Sequence, residues 1–387
     1  MKIIDRMREN PKTWLLIVLQ ISTVILSIAV GFFGHYFYLQ FFGNLKLLQE
    51  AQEIVVNNTI NEIPSEQVME YGMIRGMLNT FNDPYTYFVE PGPNEIQTDE
   101  LAGSYGGIGA RLEQDSERNW RIYPLPGSPA LQAGIKDGDV LVNINDLEIT
   151  AQVDELTVIA ELRGPVGKQV SLTVLRDKNT ITFSIKRETF SLPSVTYNLL
   201  VEDPHIGLIK INRIAETTTG EIESGIDDLI SQGARVFILD LRDNGGGLVE
   251  GGIDIVKLFV DTGDIIQREY RDHQPEFFIA DGSASYPDVP LVLLINRNTA
   301  SAAEIVSGAL KDHDRAVLVG QPTFGKTEIQ YIFDLKDGSS VHVTSGRWWI
   351  PGIQFPLVPD TEVEDGATDG EFYLLAKEIF QETLDQP

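Results

Sequence analysis

In the stretch LVLLINRNTASAAEIVSGALK, residues 291–311, an apolar run is followed by a short polar turn and then by a helical pattern. A short, uninterrupted apolar run predicts a strand that is buried on both faces. Similar runs and helical patterns alternate along this half of the chain, with strands predicted at 206–211, 236–241 and 317–319 and helices at 218–231 and 249–260. This alternation predicts an α/β domain over residues 189–387.

The turn in this stretch brings Ser301 to the start of the predicted helix. A hydroxyl at that position lies beside backbone N–H groups that can stabilise an oxyanion. The neighbouring Ala300, Ala302 and Ala303 leave room for a substrate. Ser301 and Glu304 also have the spacing of a capping box, in which the serine only caps the helix. From this stretch alone both interpretations, nucleophile and cap, stay open.

A serine nucleophile needs a general base. Of the histidines, His313 lies in a charged run that predicts a solvated turn, and His342 lies in an alternating strand that predicts a structural role. Lys326 can act as a base if burial lowers its pKa. The alternating segment GKTEIQYIFDL, residues 325–335, puts Lys326 and Gln330 on one side of a predicted strand. The alternative is an ordinary exposed lysine.

Residues 320–327, GQPTFGKT, also match a Walker A motif. In an ATPase, Lys326 would bind phosphate and Thr327 would bind magnesium. A Walker A loop needs a helix after its lysine, so that helix N–H groups face the phosphates. The alternating pattern after Lys326 predicts a strand instead, which argues against nucleotide binding.

Composition limits the partners of the chain. It has 57 acidic and 30 basic residues and a formal net charge of -27, which argues against nucleic acid as a partner. It has no cysteine, and its five histidines form no HxH or HxxxH pair. The sequence therefore predicts neither a disulfide nor a metal site.

The amino-terminal region, residues 1–45, has an apolar stretch at 14–33 that carries no charge. An apolar helix of about 20 residues spans a bilayer. Four basic residues precede the stretch, which predicts a cytoplasmic amino terminus and an extracytoplasmic location for everything after Lys46. A cleaved signal peptide is the alternative, although its apolar core is usually only about 7–15 residues long.

The middle of the chain changes character near residue 98. A helical pattern covers residues 45–82, and the predicted helical region is assigned to residues 46–97. Residues 98–188 then predict strands at 108–112, 120–124, 140–144, 170–176 and 180–186, with helices near 129–133 and 153–162. Short strands separated by tight turns predict a small, mostly β domain.

These motifs resemble those of the carboxyl-terminal processing peptidases, also called tail-specific proteases. The resemblance extends from about residue 45 to residue 363. It rests on DPYTYF at 83–88, GGIGA at 106–110, SPALQAGIKDGD at 128–139, DLRDNGGGL at 240–248, Ser301 with Glu304, and Lys326 with Gln330. Gly245 stands where the family has a proline.

The resemblance implies a crotonase-like α/β core with an inserted PDZ domain, and a serine endopeptidase that uses no cofactor. Ser301 would be the nucleophile and Lys326 its base, supported by Gln330 and Glu304. The implied oxyanion hole consists of the N–H groups of Ala302 and Gly246. A substrate tail would bind at Gly107, Ile108, Gly109 and Ala110 and add as a strand to the edge of the PDZ domain.

The implied partners are polypeptides with free, apolar carboxyl termini, and the membrane through the amino-terminal helix. The catalytic domain would face the periplasm, the cell exterior or a thylakoid lumen, and a homo-oligomer is compatible with the sequence. An alternative from a binding class is an inactive scaffold that holds carboxyl termini in its PDZ domain. A scaffold has no need of Ser301, Lys326 and Gln330.

Overall fold

The computed structural model describes residues 22, 23, 31, 46–271 and 273–384. The predicted membrane helix at residues 14–33 lies, apart from three positions, outside the described residues. In the part of the chain that is described, no helix is long and apolar enough to cross a bilayer. The amino-terminal anchor therefore stays a prediction from hydropathy.

The region predicted to be helical at 45–82 holds two helices, α1 (Lys46–Asn58) and α2 (Glu66–Asn79). Ser65 Oγ accepts the N–H of Val68 at 3.3 Å and so caps the start of α2. Pro64 disfavours helix in the residue before it. These two residues divide the continuous helical pattern.

The mostly β domain forms as the strand pattern predicts. Its antiparallel sheet has the order β3-β4-β5-β7-β8, with β6 paired to β5, so β3 is an edge strand. The elements are β3 (Ala110–Gln114), β4 (Trp120–Pro124), α4 (Pro129–Ala133), β5 (Asp139–Ile144), β6 (Leu147–Glu148), α5 (Glu155–Leu162), β7 (Gln169–Arg176) and β8 (Asn179–Lys186). Ile122, Ile144 and Leu172 are fully buried at its centre.

A short connection leads into and out of this domain. Strands β2 (Ser104–Gly107) and β9 (Glu188–Ser191) pair antiparallel, and α3 (Pro91–Ala102) precedes them. Because β2 enters the domain and β9 leaves it, the domain is inserted between the two halves of the remaining fold.

The α/β expectation for the carboxyl-terminal half is confirmed. A six-stranded sheet has the order β10-β11-β12-β15-β16-β19, and all its pairs are parallel except β10 with β11. Its strands are β10 (Val195–Leu200), β11 (Asp203–Ile211), β12 (Val236–Asp240), β15 (Leu291–Ile295), β16 (Ala316–Gly320) and β19 (Thr361–Glu362). The helices are α6 (Thr218–Ser231), α7 (Val249–Lys257), α8 (Ala302–Asp312) and α9 (Asp369–Leu384). The crotonase-like assignment of this core stays a prediction.

Burial on both faces explains the uninterrupted apolar runs. Phe237 and Leu239 of β12 belong to one buried cluster together with side chains of α6, α7 and α8. Ile238, between them, belongs to a second cluster with Phe372 and Phe380 of α9. Since neighbouring positions of the strand face two different cores, each of them has to be apolar.

A second sheet was only partly predicted. It is antiparallel, with the order β1-β18-β13-β14 and with β17 also paired to β18. Its strands are β1 (Tyr87–Val89), β13 (Thr262–Tyr270), β14 (Glu276–Asp281), β17 (Glu328–Asp334) and β18 (Ser340–Trp349). The residues after Lys326 therefore form a strand, as expected, and the Walker A interpretation fails because no helix follows the lysine.

Candidate active site

Ser301 lies between the end of β15 and the start of α8, at the carboxyl edge of the parallel sheet. Its backbone has φ 56° and ψ -122°, a conformation that residues other than glycine rarely adopt. Thr299 Oγ1 donates to the Leu241 carbonyl at 2.9 Å, and the Ala300 N–H donates to the Asn244 carbonyl at 2.9 Å. These contacts fix the turn against the loop after β12. A strained residue between strand and helix is typical of an exposed nucleophile.

Glu304, in the first turn of α8, connects the turn of Ser301 to the segment of Lys326. Its side chain is fully buried. Oε2 accepts the N–H groups of Ser301 and Lys326, each at 2.9 Å. Oε1 accepts Thr323 Oγ1 at 2.6 Å and the Gly325 N–H at 2.7 Å. Burial raises the pKa of Glu304, and these four donors oppose that rise by stabilising the carboxylate.

The contact between Glu304 and the Ser301 N–H is one half of a capping box. The cap and a catalytic interpretation are therefore compatible, because the serine hydroxyl is a separate group from the N–H that the carboxylate holds. The Glu304 carboxylate holds the backbone N–H of Ser301, so the contact does not occupy the hydroxyl that is the predicted nucleophile.

Lys326 lies just before β17 and is largely enclosed. Its Nζ donates to Gln330 Oε1 and lies 4.7 Å from the centre of the Tyr85 ring. Burial lowers the pKa of Lys326, and the nearby carboxylates of Glu328 and Asp83 partly oppose this shift. A lysine whose pKa is lowered by burial has a larger neutral fraction near pH 7 and can accept a proton.

Tyr85 supports both side chains of this pair. Its carbonyl accepts Gln330 Nε2 at 2.7 Å, which orients the amide so that Oε1 faces Lys326. The Tyr85 turn is itself held, since Asp83 accepts the Tyr85 N–H at 3.0 Å and Thr86 Oγ1 accepts the Thr344 N–H at 3.1 Å. The segment before the β-rich domain thus contributes directly to the surroundings of the lysine.

The glycine loop after β12 packs against the serine turn. Gly246 has φ 99°, and a Cβ placed there would lie 2.8 Å from Ser301 Cβ and 3.0 Å from the Ala302 nitrogen. The Gly246 N–H, the predicted oxyanion donor, donates to Asn244 Oδ1 at 2.8 Å in this structure. The other predicted donor, Ala302, is the first residue of α8, where the N–H has no partner within the helix.

One cleft of about 380 Å³ is lined by the predicted nucleophile and base, whereas the predicted oxyanion donors Gly246 and Ala302 are not among its lining residues. It contains Ser301, Lys326 and Gln330, together with Gly245 and Gly247 of the glycine loop. Apolar and charged side chains extend its walls, namely Leu101, Leu248, Val249, Ile332, Glu250 and Arg268. The cleft therefore brings together the serine, the lysine and the glutamine that the sequence predicts to act jointly.

A second cavity, of about 250 Å³, lies in the β-rich domain between edge strand β3 and helix α5. All four residues predicted to bind a substrate tail, Gly107, Ile108, Gly109 and Ala110, line it. Gly109 has φ 69°, and a Cβ there would lie 2.6 Å from Ser128 Cβ. Glycine at this position allows the loop to pack closely against α4.

The sequence indicates no role for three residues of the cleft region, Tyr85, Thr323 and Asn244, and only a structural role for His342. The motifs DPYTYF, GQPTFGKT and DLRDNGGGL contain the first three, but their neighbours in space are distant in the chain. In the described parts of the chain, no group of three or more His, Cys, Asp or Glu could hold a metal ion.

Comparison with known proteins gives two family matches. Residues 205–363 match the model of peptidase family S41, and residues 106–186 match a PDZ domain, which confirms the PDZ expectation. The chain is 35% identical over 308 residues to a carboxyl-terminal-processing protease of Synechocystis sp., covering 76% of this chain and 71% of that protein. It is 34% identical over 304 residues to the carboxy-terminal processing protease CtpA of Bacillus subtilis, covering 78% of this chain and 64% of that protein. Among solved structures, a photosystem II D1 C-terminal processing protease shares 29% identity, with a TM-score of 0.46 over 84% of this chain and 89% of the other.

Proposed function

This chain belongs to the carboxyl-terminal processing serine proteases of peptidase family S41, and we propose that it cleaves polypeptides near their carboxyl termini with a Ser301–Lys326 dyad. The observation that carries the proposal is the Glu304 carboxylate, which accepts the backbone N–H groups of both residues. A single buried group thereby couples the position of the nucleophile to that of the base, in a cleft that both residues line.

The lysine has the properties that the first chemical step needs. Neutral Lys326 would take the proton from Ser301 Oγ as the oxygen attacks the substrate carbonyl carbon. The depressed pKa of Lys326 and the amide oxygen of Gln330 support this role, the first by favouring the neutral amine and the second by stabilising the ammonium that forms. The ammonium would then protonate the leaving amine, and Lys326 would deprotonate the water that hydrolyses the acyl-enzyme.

Negative charge develops on the carbonyl oxygen during the attack. The N–H groups of Ala302 and Gly246 would stabilise it, helped by the amino-terminal end of α8. The oxyanion would take over the Gly246 N–H from Asn244 Oδ1, so substrate binding would be coupled to a small shift in the glycine loop.

Substrate selection would begin in the PDZ domain, over the proposed residues 98–188. The loop Gly107–Ala110 would bind the terminal carboxylate, and the tail would add antiparallel to β3. The position of β3 supports this, because it is an edge strand beside the cavity.

The catalytic domain would comprise residues 189–387 and the helical region residues 46–97. Residues 1–45 would anchor the chain with its catalytic domain outside the cytoplasm, supported by their charge-free apolar stretch.

The test uses the full-length chain and an unfolded polypeptide with an apolar carboxyl end. Wild type, Ser301→Ala and Lys326→Ala are compared with and without a metal chelator. We expect cleavage that the chelator does not affect and that falls at least about 1,000-fold in both variants. Unchanged cleavage by either variant would contradict the dyad. Binding of the free carboxyl end without cleavage by wild type would favour the inactive scaffold.

Anchoring is tested separately by membrane fractionation of cells that express the full chain or residues 46–387. The anchor predicts that only the full chain sediments with membranes and resists extraction by salt. Release of both proteins into the soluble fraction would contradict it.

A further inference from the structure

His342 lies in β18, in the middle of the second sheet. Its Cα is paired with Ile332 of β17 on one side and with Tyr87 of β1 on the other. The imidazole stacks on the Tyr87 ring, with 4.6 Å between ring centres and 20° between planes. The residue is only 5% exposed, and it lines the same cleft as Ser301 and Lys326. Burial and stacking alone are compatible with a purely structural role. The surroundings of the Nε2 atom indicate a further one.

Nε2 of His342 is buried and has no hydrogen-bond partner among the residues that the structure describes. Burying an imidazole nitrogen without a partner is unfavourable, and a phenyl ring would stack on Tyr87 without that cost. Buried polar groups in native proteins are rarely left without a partner, and one that lies in a catalytic cleft is a candidate for a partner gained during the reaction. The missing partner is therefore the feature that needs an explanation.

Strand register places His342 diagonally beside Gln330, the residue that binds Nζ of the lysine. Gln330 pairs with Thr344 and Ile332 pairs with His342, so Gln330 and His342 are diagonal neighbours on one face of the β17–β18 pair. Gln330 in turn holds Nζ of Lys326. His342 and Lys326 line the same cleft, and the charge of Lys326 contributes to lowering the pKa of His342.

The surroundings of the imidazole ring favour its neutral form. Burial is the main cause of the lowered pKa of His342 and Lys326 the second, while Asp334 at the end of β17 opposes them. Other charged groups near the lysine are Glu328 on β17, Asp83 before β1 and Glu304 on α8. A neutral ring has one N–H and one nitrogen lone pair, and in the tautomer protonated on Nδ1 the lone pair lies on Nε2, where it can accept a hydrogen bond.

We propose that His342 Nε2 accepts a hydrogen bond from the Lys326 ammonium once Lys326 has taken the proton of Ser301. Before this transfer the amine donates to Gln330 and lies over the Tyr85 ring. After it, the ammonium has three N–H groups, of which one stays on Gln330, one faces the reacting atoms and one is left for His342. The imidazole neither gains nor loses a proton in this step. His342 is a positioning residue for the base, and the inference rests on the proposed serine–lysine chemistry.

The test compares wild type with His342→Phe and His342→Gln in the full-length chain. Phenylalanine keeps a ring to stack on Tyr87 but has no acceptor, whereas the amide oxygen of glutamine can reach the position of Nε2. We measure kcat and KM for the same polypeptide between pH 5 and 10 and record the thermal midpoint of each variant. Ser301→Ala and Lys326→Ala serve as inactive references.

His342→Phe should lower kcat about 10-fold to 100-fold at unchanged KM, because a hydrogen bond to a charged group is lost. It should also move the acidic limb of the kcat profile to lower pH, since the ammonium loses a stabilising acceptor. His342→Gln should restore most of both properties. A kcat loss with an unmoved acidic limb, or no rescue by glutamine, would overturn the proposal.

Failure of the broader function is distinguishable from failure of this inference. Wild-type kinetics in both His342 variants, with cleavage still lost in the Ser301 and Lys326 references, would overturn only the role of His342. Cleavage that persists in those references would overturn the dyad itself and the inference with it. Where His342→Phe has a lowered thermal midpoint, the pH profile of His342→Leu decides by the same criteria.

Discussion

The backbone N–H groups of Ser301 and Lys326 donate to the same oxygen, Oε2 of Glu304, each at 2.9 Å. The two residues come from different elements, one from the turn before α8 and the other from the segment before β17. A shared acceptor makes their relative position depend on one buried side chain. The other oxygen of that carboxylate holds Thr323 and Gly325, so the whole loop before the lysine is tied to the start of α8.

Glu304→Gln should therefore damage stability and catalysis together. In either orientation of the glutamine amide, its NH2 group replaces a carboxylate oxygen that accepts backbone N–H groups in the wild type. Those N–H groups would then face another donor and lose their acceptor. We expect the free energy of unfolding to fall by about 1–3 kcal/mol and kcat to fall at least about 10-fold. Denaturant unfolding and peptide hydrolysis measure the two effects. The exposed Glu371→Gln, which lies at the start of α9, is the control and should match wild type in kcat. A stable and fully active Glu304→Gln would contradict the shared-acceptor argument.

The strained backbone of Ser301 predicts an unusual order of stability. With φ at 56°, Ser301→Gly should relieve strain that Ser301→Ala retains. We expect the glycine variant to be the more stable of the two by about 1–3 kcal/mol in denaturant unfolding, although neither cleaves substrate.

Ser307, in the middle of α8, gives the matched control for this comparison because its backbone is helical. There the order should be reversed, since glycine in a helix is about 1 kcal/mol less favourable than alanine. If alanine were more stable than glycine at position 301 as well as at position 307, the backbone of Ser301 would not be strained.

How much of this site the sequence predicts depends on how far apart along the chain the contacting residues lie. Ser301 and Glu304 are three residues apart, and their spacing alone predicts a contact between them. Lys326 and Gln330 lie within one segment, and their alternation predicts a common side. In both cases a local periodicity carries the information, and the structure brings each pair into contact.

Contacts between distant segments carry no such signal. Tyr85 lies beneath Lys326 and orients Gln330, yet nothing in a tyrosine of the DPYTYF segment points to a lysine far along the chain. The second sheet was only partly predicted for the same reason. Strands β13 and β14 alternate only weakly, and their pairing with each other and with β18 depends on long-range register rather than on local pattern.

His342 shows what a periodic pattern leaves out. Its position in an alternating strand predicts a structural residue, and it is indeed buried. Periodicity reports which side a residue faces but not whether its polar atoms find partners. Only the three-dimensional structure reveals, among the residues it describes, an imidazole nitrogen left unsatisfied in the cleft of the lysine.

The glycine loop offers a prediction with a close internal control. Gly246→Ala would put a methyl group 2.7 Å from the Ala300 carbonyl oxygen and 2.8 Å from Ser301 Cβ. Because the serine turn or the loop must move, we expect kcat to fall about 100-fold, comparable to the loss of an oxyanion donor. Gly245→Ala meets no atom within 4 Å and should keep near-wild-type kcat. Equal activity of the two variants would contradict close packing of the loop on the serine.

The pH dependence of cleavage should follow the lysine. Burial lowers the pKa of Lys326, and the Glu328 carboxylate opposes that shift. In the proposed mechanism activity needs the neutral amine, so activity should be present above this pKa and be lost as the pH falls through it. Glu328→Gln removes the opposing charge, lowers the pKa of Lys326 further and should move the acidic limb of kcat to lower pH.

Glu362→Gln, in β19 of the other sheet, is the control for this measurement because it removes one negative charge away from the cleft. Its acidic limb should coincide with that of wild type. A shift of the same size in both variants would indicate a general effect of net charge rather than the local action of Glu328. A shift to higher pH in Glu328→Gln would mean that the carboxylate does not stabilise the ammonium of Lys326.

Tail recognition can be separated from catalysis by one methyl group in the PDZ cavity. In Gly109→Ala the new Cβ would lie 2.5 Å from Phe190 Cζ and 2.6 Å from Ser128 Cβ, so the loop Gly107–Ala110 must shift. We expect KM for a polypeptide with a free carboxyl end to rise about 10-fold, equivalent to about 1.4 kcal/mol of binding, while kcat changes little. Gly138→Ala has a similar positive φ without a clash and controls for backbone strain.

The same polypeptide with an amidated end should show a high KM with wild type and no further rise with Gly109→Ala. The amidated end has no carboxylate, so neither the wild type nor the variant can bind one. An equal rise for free and amidated ends would instead mean that the loop holds the chain without recognising its terminus.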